Sequence, residues 1–215
     1  VMSRASVALI ALTCLADTTL GAVGSTPGSF AVSSTGAATY TIPIRVPPGP
    51  GGLQPHLSLS YNSQIGNGYL GVGWTLNGLS VIARCNATFA QDAAPSQVTL
   101  TNNDRFCLDG QRLRLTSSED LSTYGRPGTT YQTEVADFAT VMASGTAGSG
   151  PATFTVATRD GTTLEYGNGG NSQVVSNSAG TVGEWLLDKI TDAAGNTMTV
   201  TYLVTDSRLA NSTVP

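Results

Sequence analysis

Apolar and polar residues alternate with a period of two through most of the chain between residues 38 and 204, the pattern of strands with one buried face. Tyr40, Ile42, Ile44 and Val46 alternate with Thr39, Thr41, Pro43 and Arg45, and Pro43 assigns this first strand to an edge or a bulge. Residues 47–52, Pro-Pro-Gly-Pro-Gly-Gly, read as a loop. Leu57, Leu59 and Tyr61 then alternate with polar residues as a second strand. Short strands are predicted over 79–85, 97–101, 105–108 and 111–115, with Asp109-Gly110 as a two-residue hairpin turn between the last two. After a polar loop over 116–129, Tyr131, Thr133 and Val135 begin a strand that continues beyond a bend through 138–142. A hairpin spans 153–166 with Asp160-Gly161 at its tip, and a polar loop fills 167–180. A final pair, 184–191 and 197–204, is joined by residues 192–196. No amphipathic helix is predicted outside the first two dozen residues, and 25–37 reads as a Ser/Gly/Pro-rich leader without periodicity. The fold class is all-β: short antiparallel strands and hairpins in an open sheet or a sandwich.

Composition narrows the function classes. Only 11% of the residues are charged, while 40% are hydrophobic, enough to build a core, so disorder is not the default. The formal net charge is −4, with Lys189 the sole lysine and nine arginines scattered singly. Gripping nucleic acid requires clustered cations, so that class is excluded, and an anionic membrane surface is disfavoured for the same reason. Arg4, the apolar stretch 5–16 and the small residues Ala22-Val23-Gly24 read as a secretion signal over residues 1–24, too short to span a bilayer; the alternative is a buried N-terminal helix. Val1 is expected from an alternative start codon or a clipped reading frame. No later stretch is expected to span a membrane.

Removing that signal takes Cys14 with it and leaves Cys85 and Cys107, an even pair in a chain bound for an oxidising compartment. They are a candidate disulfide, with two buried free thiols as the alternative. Two cysteines and the distant, single His56 do not make a four-ligand metal site.

Three patterns invite a catalytic reading. Gly66, Gly68 and Gly71 match the dinucleotide fingerprint, which requires a helix to follow; Gly73 and Gly78 break any helix there, so a tight glycine turn that swings Trp74 into the core is the reading adopted. Trp74 and Trp185 are both expected to be buried. Gln132-Thr133-Glu134 has the Q-x-E spacing used by ADP-ribosyltransferases, with Arg126 upstream, but no Ser-Thr-Ser segment stands between them and an exposed strand face explains the tripeptide more simply. His56 has no nucleophile motif beside it and reads as a surface or packing residue. The sequons at Asn86 and Asn211 are taken as incidental. No cofactor is expected.

The segments Gly36 to Ile44, Leu53 to Ser63, Leu70-Gly71-Val72-Gly73-Trp74 and Arg84-Cys85 together resemble a known family. So do Asp104 to Leu113, Glu165-Tyr166-Gly167 and Trp185 to Asp192 running into Gly195-Asn196 and Tyr202. The family is that of the N-terminal domain shared by Salmonella virulence plasmid SpvB proteins and the B component of insecticidal Tc toxins. The resemblance covers roughly residues 28–204. It implies a non-catalytic module contributing β-sheet to an RHS-type shell around a toxic C-terminal polypeptide, and Asp192 to Tyr202 is similar to one RHS/YD repeat. The implied partners are downstream repeats or a propeller of the same parent and other toxin-complex subunits, in a secreted toxin that reaches the host cytoplasm. The ADP-ribosyltransferase of such proteins lies in a separate domain with no counterpart here. The organisation expected is signal 1–24, leader 25–37, β domain 38–204, and a tail or truncated continuation over 205–215. A secreted carbohydrate-binding β-sandwich, with Tyr40, Tyr61, Tyr69 and Trp74 stacking on sugars, is the alternative.

Overall fold

A computed structural model describes residues 27–68, 70–116, 121–135 and 137–203. The expected signal over 1–24 with Cys14, Tyr69, and the tail over 205–215 with Asn211 lie outside the described residues. Six strands lead: β1 (Ser29–Val32), β2 (Ala38–Pro43), β3 (Ser58–Asn62), β4 (Asn67–Gly68), β5 (Gly71–Val72) and β6 (Trp74–Asn77). Antiparallel pairing orders four of them β1-β2-β3-β6 as one sheet, and β4 and β5 form a small hairpin between β3 and β6.

The second sheet comprises β7 (Val81–Cys85), β8 (Arg105–Leu108), β9 (Gln111–Leu115), β10 (Thr130–Thr133), β11 (Thr140–Ser144), β12 (Thr153–Ala157), β13 (Thr163–Tyr166), β14 (Gln173–Val175), β15 (Val182–Thr191) and β16 (Thr197–Thr199). Where alternation left an open sheet or a sandwich as the options, the strands close on themselves. β7 to β13 pair in sequence, and the ten-residue β15 completes the ring. Its N-terminal half pairs with β7 and its C-terminal half with β13. An eight-stranded barrel leaves room inside for side chains and little else. Here Ile82, Phe106, Leu113, Tyr131, Val141, Phe154, Tyr166, Trp185 and Leu187 fill it, each from an alternate position of its strand. The aromatic rings meet edge to face: Trp185 lies 4.9 Å from Phe154 and 5.4 Å from Phe106, both near perpendicular. The indole N–H donates to Pro151 O and Ala152 O, so the largest buried side chain carries no orphaned donor.

Several strand expectations change. Pro43 does not place β2 at an edge: β2 lies between β1 and β3, and Pro43 is its last residue. Ile44 N–H donates to Leu57 O on the β3 side, so the nitrogen of Pro43 faces the side where β1 has already ended and no bond is lost. The leader expected over 25–37 supplies β1. The strand expected over 97–101 is a loop wrapped round a carboxylate: the N–H groups of Thr99 and Thr101 donate to Asp104 instead of to a neighbouring strand. Residues 138–142 do not continue β10 but fold back as β11 against it. No glycine marks that reversal. Asp137 accepts from Thr133 Oγ1 and Ala139 N–H, and Phe138 adopts φ 62°. The loop expected over 167–180 contains β14.

Trp74 is also corrected. It is half-buried, not in the core: it packs on Tyr61 at 5.4 Å in the four-stranded sheet, which contributes nothing to the barrel interior. Trp185→Ala should therefore cost about 3–5 kcal/mol, as for a fully buried tryptophan. Trp74→Ala should cost only about 1–2 kcal/mol, because a half-exposed ring forfeits part of its transfer free energy. Denaturant melts of the two variants check the order; equal costs would contradict the two-layer assignment.

Candidate functional site

Side chains of the described residues fill the barrel interior, and the candidate sites described below lie outside it. The four-stranded sheet offers the first. Register places Phe30, Tyr40, Tyr61 and Trp74 in one row across the strands, and Ile42, Leu59 and Leu76 in the next row of the same face. Val32 lies opposite Ala38 at its far end. The other face carries Ser29, Thr39, Thr41, Ser58, Ser60, Thr75 and Asn77. One side of this sheet is thus apolar and the other mostly polar, with Ala31 and Pro43 as the exceptions, as in a sheet made to pack on one side. The apolar side is not covered: Phe30 is 69% exposed, Val32 65% and Leu76 45%, and the rest of its large side chains are half-buried.

The glycine segment builds the rim of this face. Gly66, Gly68, Gly71 and Gly73 lie in and around the β4–β5 hairpin, followed by a strand and not by a helix. Gly73 has φ 78° and its missing Cβ would sit 2.6 Å from the Tyr61 ring and 2.9 Å from Asn62 O, so only glycine fits. It brings Trp74 beside Tyr61.

At the other end of the chain, Asp192, Gly195 and Asn196 make the β15–β16 turn. Asp192 accepts from the N–H groups of Ala194 and Asn196 and from Asn196 Nδ2, and these bonds, led by the Asn196 side chain, hold its carboxyl below the ordinary range. Tyr202 returns along β15 and donates its hydroxyl to Leu187 O at 2.9 Å. Among the described strands β16 pairs with β15 alone, leaving an unpaired edge.

The outer barrel wall carries the charged groups. Residues 86–104 leave β7, form a single helical turn, α1 (Phe89–Asp92), and lie over β8, β9 and β10. One carboxylate oxygen of Asp92 accepts from Arg105 Nε at 2.8 Å and Arg112 Nη2 at 2.5 Å, while its other oxygen accepts from Thr88 N–H. Gln91 Nε2 donates to Glu134. Burial disfavours the Asp92 carboxylate, but the bonds from Arg112, Thr88 and Arg105 outweigh it and leave the carboxyl below its ordinary 3.8. A cavity of 460 Å³ lies between this flap and the wall.

Glu134 is exposed at its edge, as is Gln132 on the same strand face, and Arg126 stands on another loop and does not line the cavity. His56 is exposed and does not join any of these groups. Cys85 and Cys107 face each other diagonally across β7 and β8 with Cα atoms 5.9 Å apart, a disulfide spacing. Asn86 is exposed, and its side chain accepts from Val98 N–H. Sequence reasoning missed Asp92, Arg105 and Arg112 as a group. Only their outward parity on β8 and β9 hinted at it, and the acid arrives from a loop twenty residues away in sequence from Arg112. Among the described residues no cluster of metal-ligating side chains occurs, and no helix is long and apolar enough to cross a membrane.

A family model described as SpvB, Salmonella virulence plasmid 65kDa B protein, matches residues 32–214. The TcdB2-TccC3 crystal structure is similar with a TM-score of 0.58 and 19% identity, over 80% of this chain and 8% of that one. A Photorhabdus luminescens Tc holotoxin pore gives 0.60 and 20%, over 85% of this chain and 9% of that one. The N-terminal domain of effector protein SpvB from Salmonella typhimurium strain LT2 gives 0.57 and 24%, over 78% of this chain and 55% of that one. At these identities the likeness is one of fold. The chain spans under a tenth of the two Tc toxin chains and about half of the SpvB one. A comparison with curated proteins gave no match.

The Asp92 latch has a defined pH signature. Its folded-state carboxyl is depressed, so its contribution is complete above the unfolded value and disappears as pH falls through the folded one. The difference in melting temperature between the protein and Asp92→Asn should be constant near neutrality and shrink below about pH 4. A difference that grows on acidification would contradict the latch.

Proposed function

The chain belongs to the family of the Salmonella virulence plasmid 65kDa B protein, SpvB, and from that premise we propose that it is a non-catalytic wall module of a larger secreted toxin. Its neighbours are RHS/YD-repeat or propeller regions of the same parent, with other toxin-complex subunits beyond them. The observation that carries this reading is the uncovered apolar face of the four-stranded sheet. A barrel with a full interior needs no such appendage for its own stability. A sheet with eight large apolar side chains on one side and none of them buried is half of an interface. The edge of β16 that no described strand pairs with points the same way, since an unpaired strand invites another. The small share of the Tc toxin chains that this fold occupies is consistent with a module in a longer polypeptide.

The carbohydrate-binding alternative is less well supported by the same face. A sugar platform needs rings whose faces are open, whereas Tyr61 and Trp74 are tilted 53° and packed on each other. The transferase reading is also weak. Glu134 is exposed and tied to Gln91, and Arg126, the arginine upstream of it, does not line its cavity. Secretion through the segment 1–24 completes the proposal, and in an oxidising compartment Cys85 and Cys107 form a bond between β7 and β8.

Two outcomes follow. Phe30→Ser combined with Leu76→Ser should leave the isolated chain within about 0.5 kcal/mol of its original stability, as exposed sites do. In a chain extended by the sequence that follows it in its native reading frame, the same pair should cost at least about 2 kcal/mol, because the face is then buried. Equal effects in both would remove the docking role. Separately, non-reducing peptide mapping of the secreted protein should yield linked Cys85 and Cys107 peptides, and Cys107→Ser should cost about 3 kcal/mol. Free alkylation of both thiols would refute the bond.

A further inference from the structure

The cavity on the outer barrel wall is a separate feature from the docking face, and its chemistry is specific. Three guanidinium groups line it, Arg105, Arg112 and Arg114, against two carboxylates, Asp92 and Glu134. Among the described residues this leaves one uncompensated positive charge. The donors are unevenly used. Arg112 and Arg105 share one oxygen of Asp92, and Arg105 spends Nη1 on Asn103 O. Arg105 Nη2 and the whole Arg114 guanidinium make no hydrogen bond or ion pair among the described residues. Arg105 is held in place by the Tyr124 ring, 5.0 Å from its guanidinium carbon, and its side chain is only 11% exposed. A fixed, largely dehydrated guanidinium with an open edge is a pre-organised anion receptor. The remaining lining is mixed: the apolar Ala90, Leu115, Leu121 and Tyr124 stand beside the polar Gln91. A volume of 460 Å³ falls in the range that holds small organic ligands.

We propose that this cavity binds a small organic monoanion, a carboxylate with an apolar body, its charged end on Arg105 and Arg114 and its body against Leu115 and Leu121. Counted over the described residues, the charge balance selects one negative charge; a dianion would face Asp92 and Glu134 without compensation. The apolar part of the lining selects a hydrophobic body over a bare inorganic ion. The site is made by the flap over 86–104, so binding also ties that flap to the wall. Nothing in this arrangement depends on what covers the four-stranded sheet.

The test uses 4-phenylbutyrate and its uncharged analogue 4-phenylbutanol, titrated into the whole chain and followed by NMR. The acid should bind saturably and shift the signals of β9 and of the flap. The alcohol should bind at least about tenfold more weakly, the loss expected for one charge-assisted contact. Arg114 is exposed and makes no hydrogen bond or ion pair among the described residues, so Arg114→Gln should fold normally and bind the acid roughly fivefold or more weakly. Absence of saturable binding, or equal affinity for acid and alcohol, would overturn the proposal. So would binding that survives Arg114→Gln but is lost in Leu76→Ser, which would place the ligand on the sheet face instead.

Discussion

The arginine inside the barrel, Arg84, is the constraint around which the rest is arranged. Its side chain is 1% exposed, and a charge so placed is tolerable only if every donor is met. Nε donates to Val182 O, Nη1 to Thr101 O and to Asp104 Oδ2 at 3.0 Å, and Nη2 to Ser149 O. The guanidinium also lies 5.5 Å from the Phe106 ring and 5.8 Å from that of Trp185. Four separate pieces of chain are thereby fastened at one end of the barrel: the start of β15, the loop before β8, the loop before β12, and β7 itself. Burial pulls the Arg84 pKa down while Asp104 pulls it back up, and the pair persists because Asp104 also receives N–H groups from its own loop. The closing strand β15 is pinned where it begins, and the aromatic interior is sealed.

That sealing decides where function resides. A barrel whose interior is filled by Trp185, Phe154, Phe106 and Tyr131 has no lumen to host a substrate. Polar chemistry is displaced to the outer wall, where Asp92 latches a flap with two arginines. Apolar surface is displaced to the four-stranded sheet, which has a finished polar face and an unfinished apolar one. The two layers differ: the barrel buries its apolar side chains, and the sheet leaves its own exposed or half-buried. This member of the SpvB family therefore carries its apolar surface on the sheet and its charged groups on the barrel wall.

Much of this was legible in the sequence, and the exceptions have causes. The period-two alternation located most strands, and Asp109-Gly110 gave its hairpin because both residues take positive φ, 49° and 81°. Alternation could not distinguish closure from an open sheet, because the same inward parity serves both; closure rests on β15 pairing with β7 and β13 at once. It also gave Trp74 and Trp185 the same standing, although one lies in a layer that is covered and the other in a layer that is not. The reversal at Phe138 was invisible because it depends on the Asp137 side chain and not on a glycine. Strand β1 was missed because Phe30 and Val32 alone are too few to show a period. The outer-wall cluster was missed because Asp92 comes from an irregular loop whose position no periodicity records.

The central claim, that the apolar sheet face is an interface within a larger polypeptide, is tested most directly by cysteine accessibility. A cysteine placed at Leu76, with Arg114→Cys as the reference on the barrel wall, would be labelled by a maleimide in the isolated chain and in the full parent protein. The account predicts that labelling at position 76 slows by an order of magnitude or more in the parent while labelling at position 114 does not. Equal rates at position 76 in the two settings would contradict it.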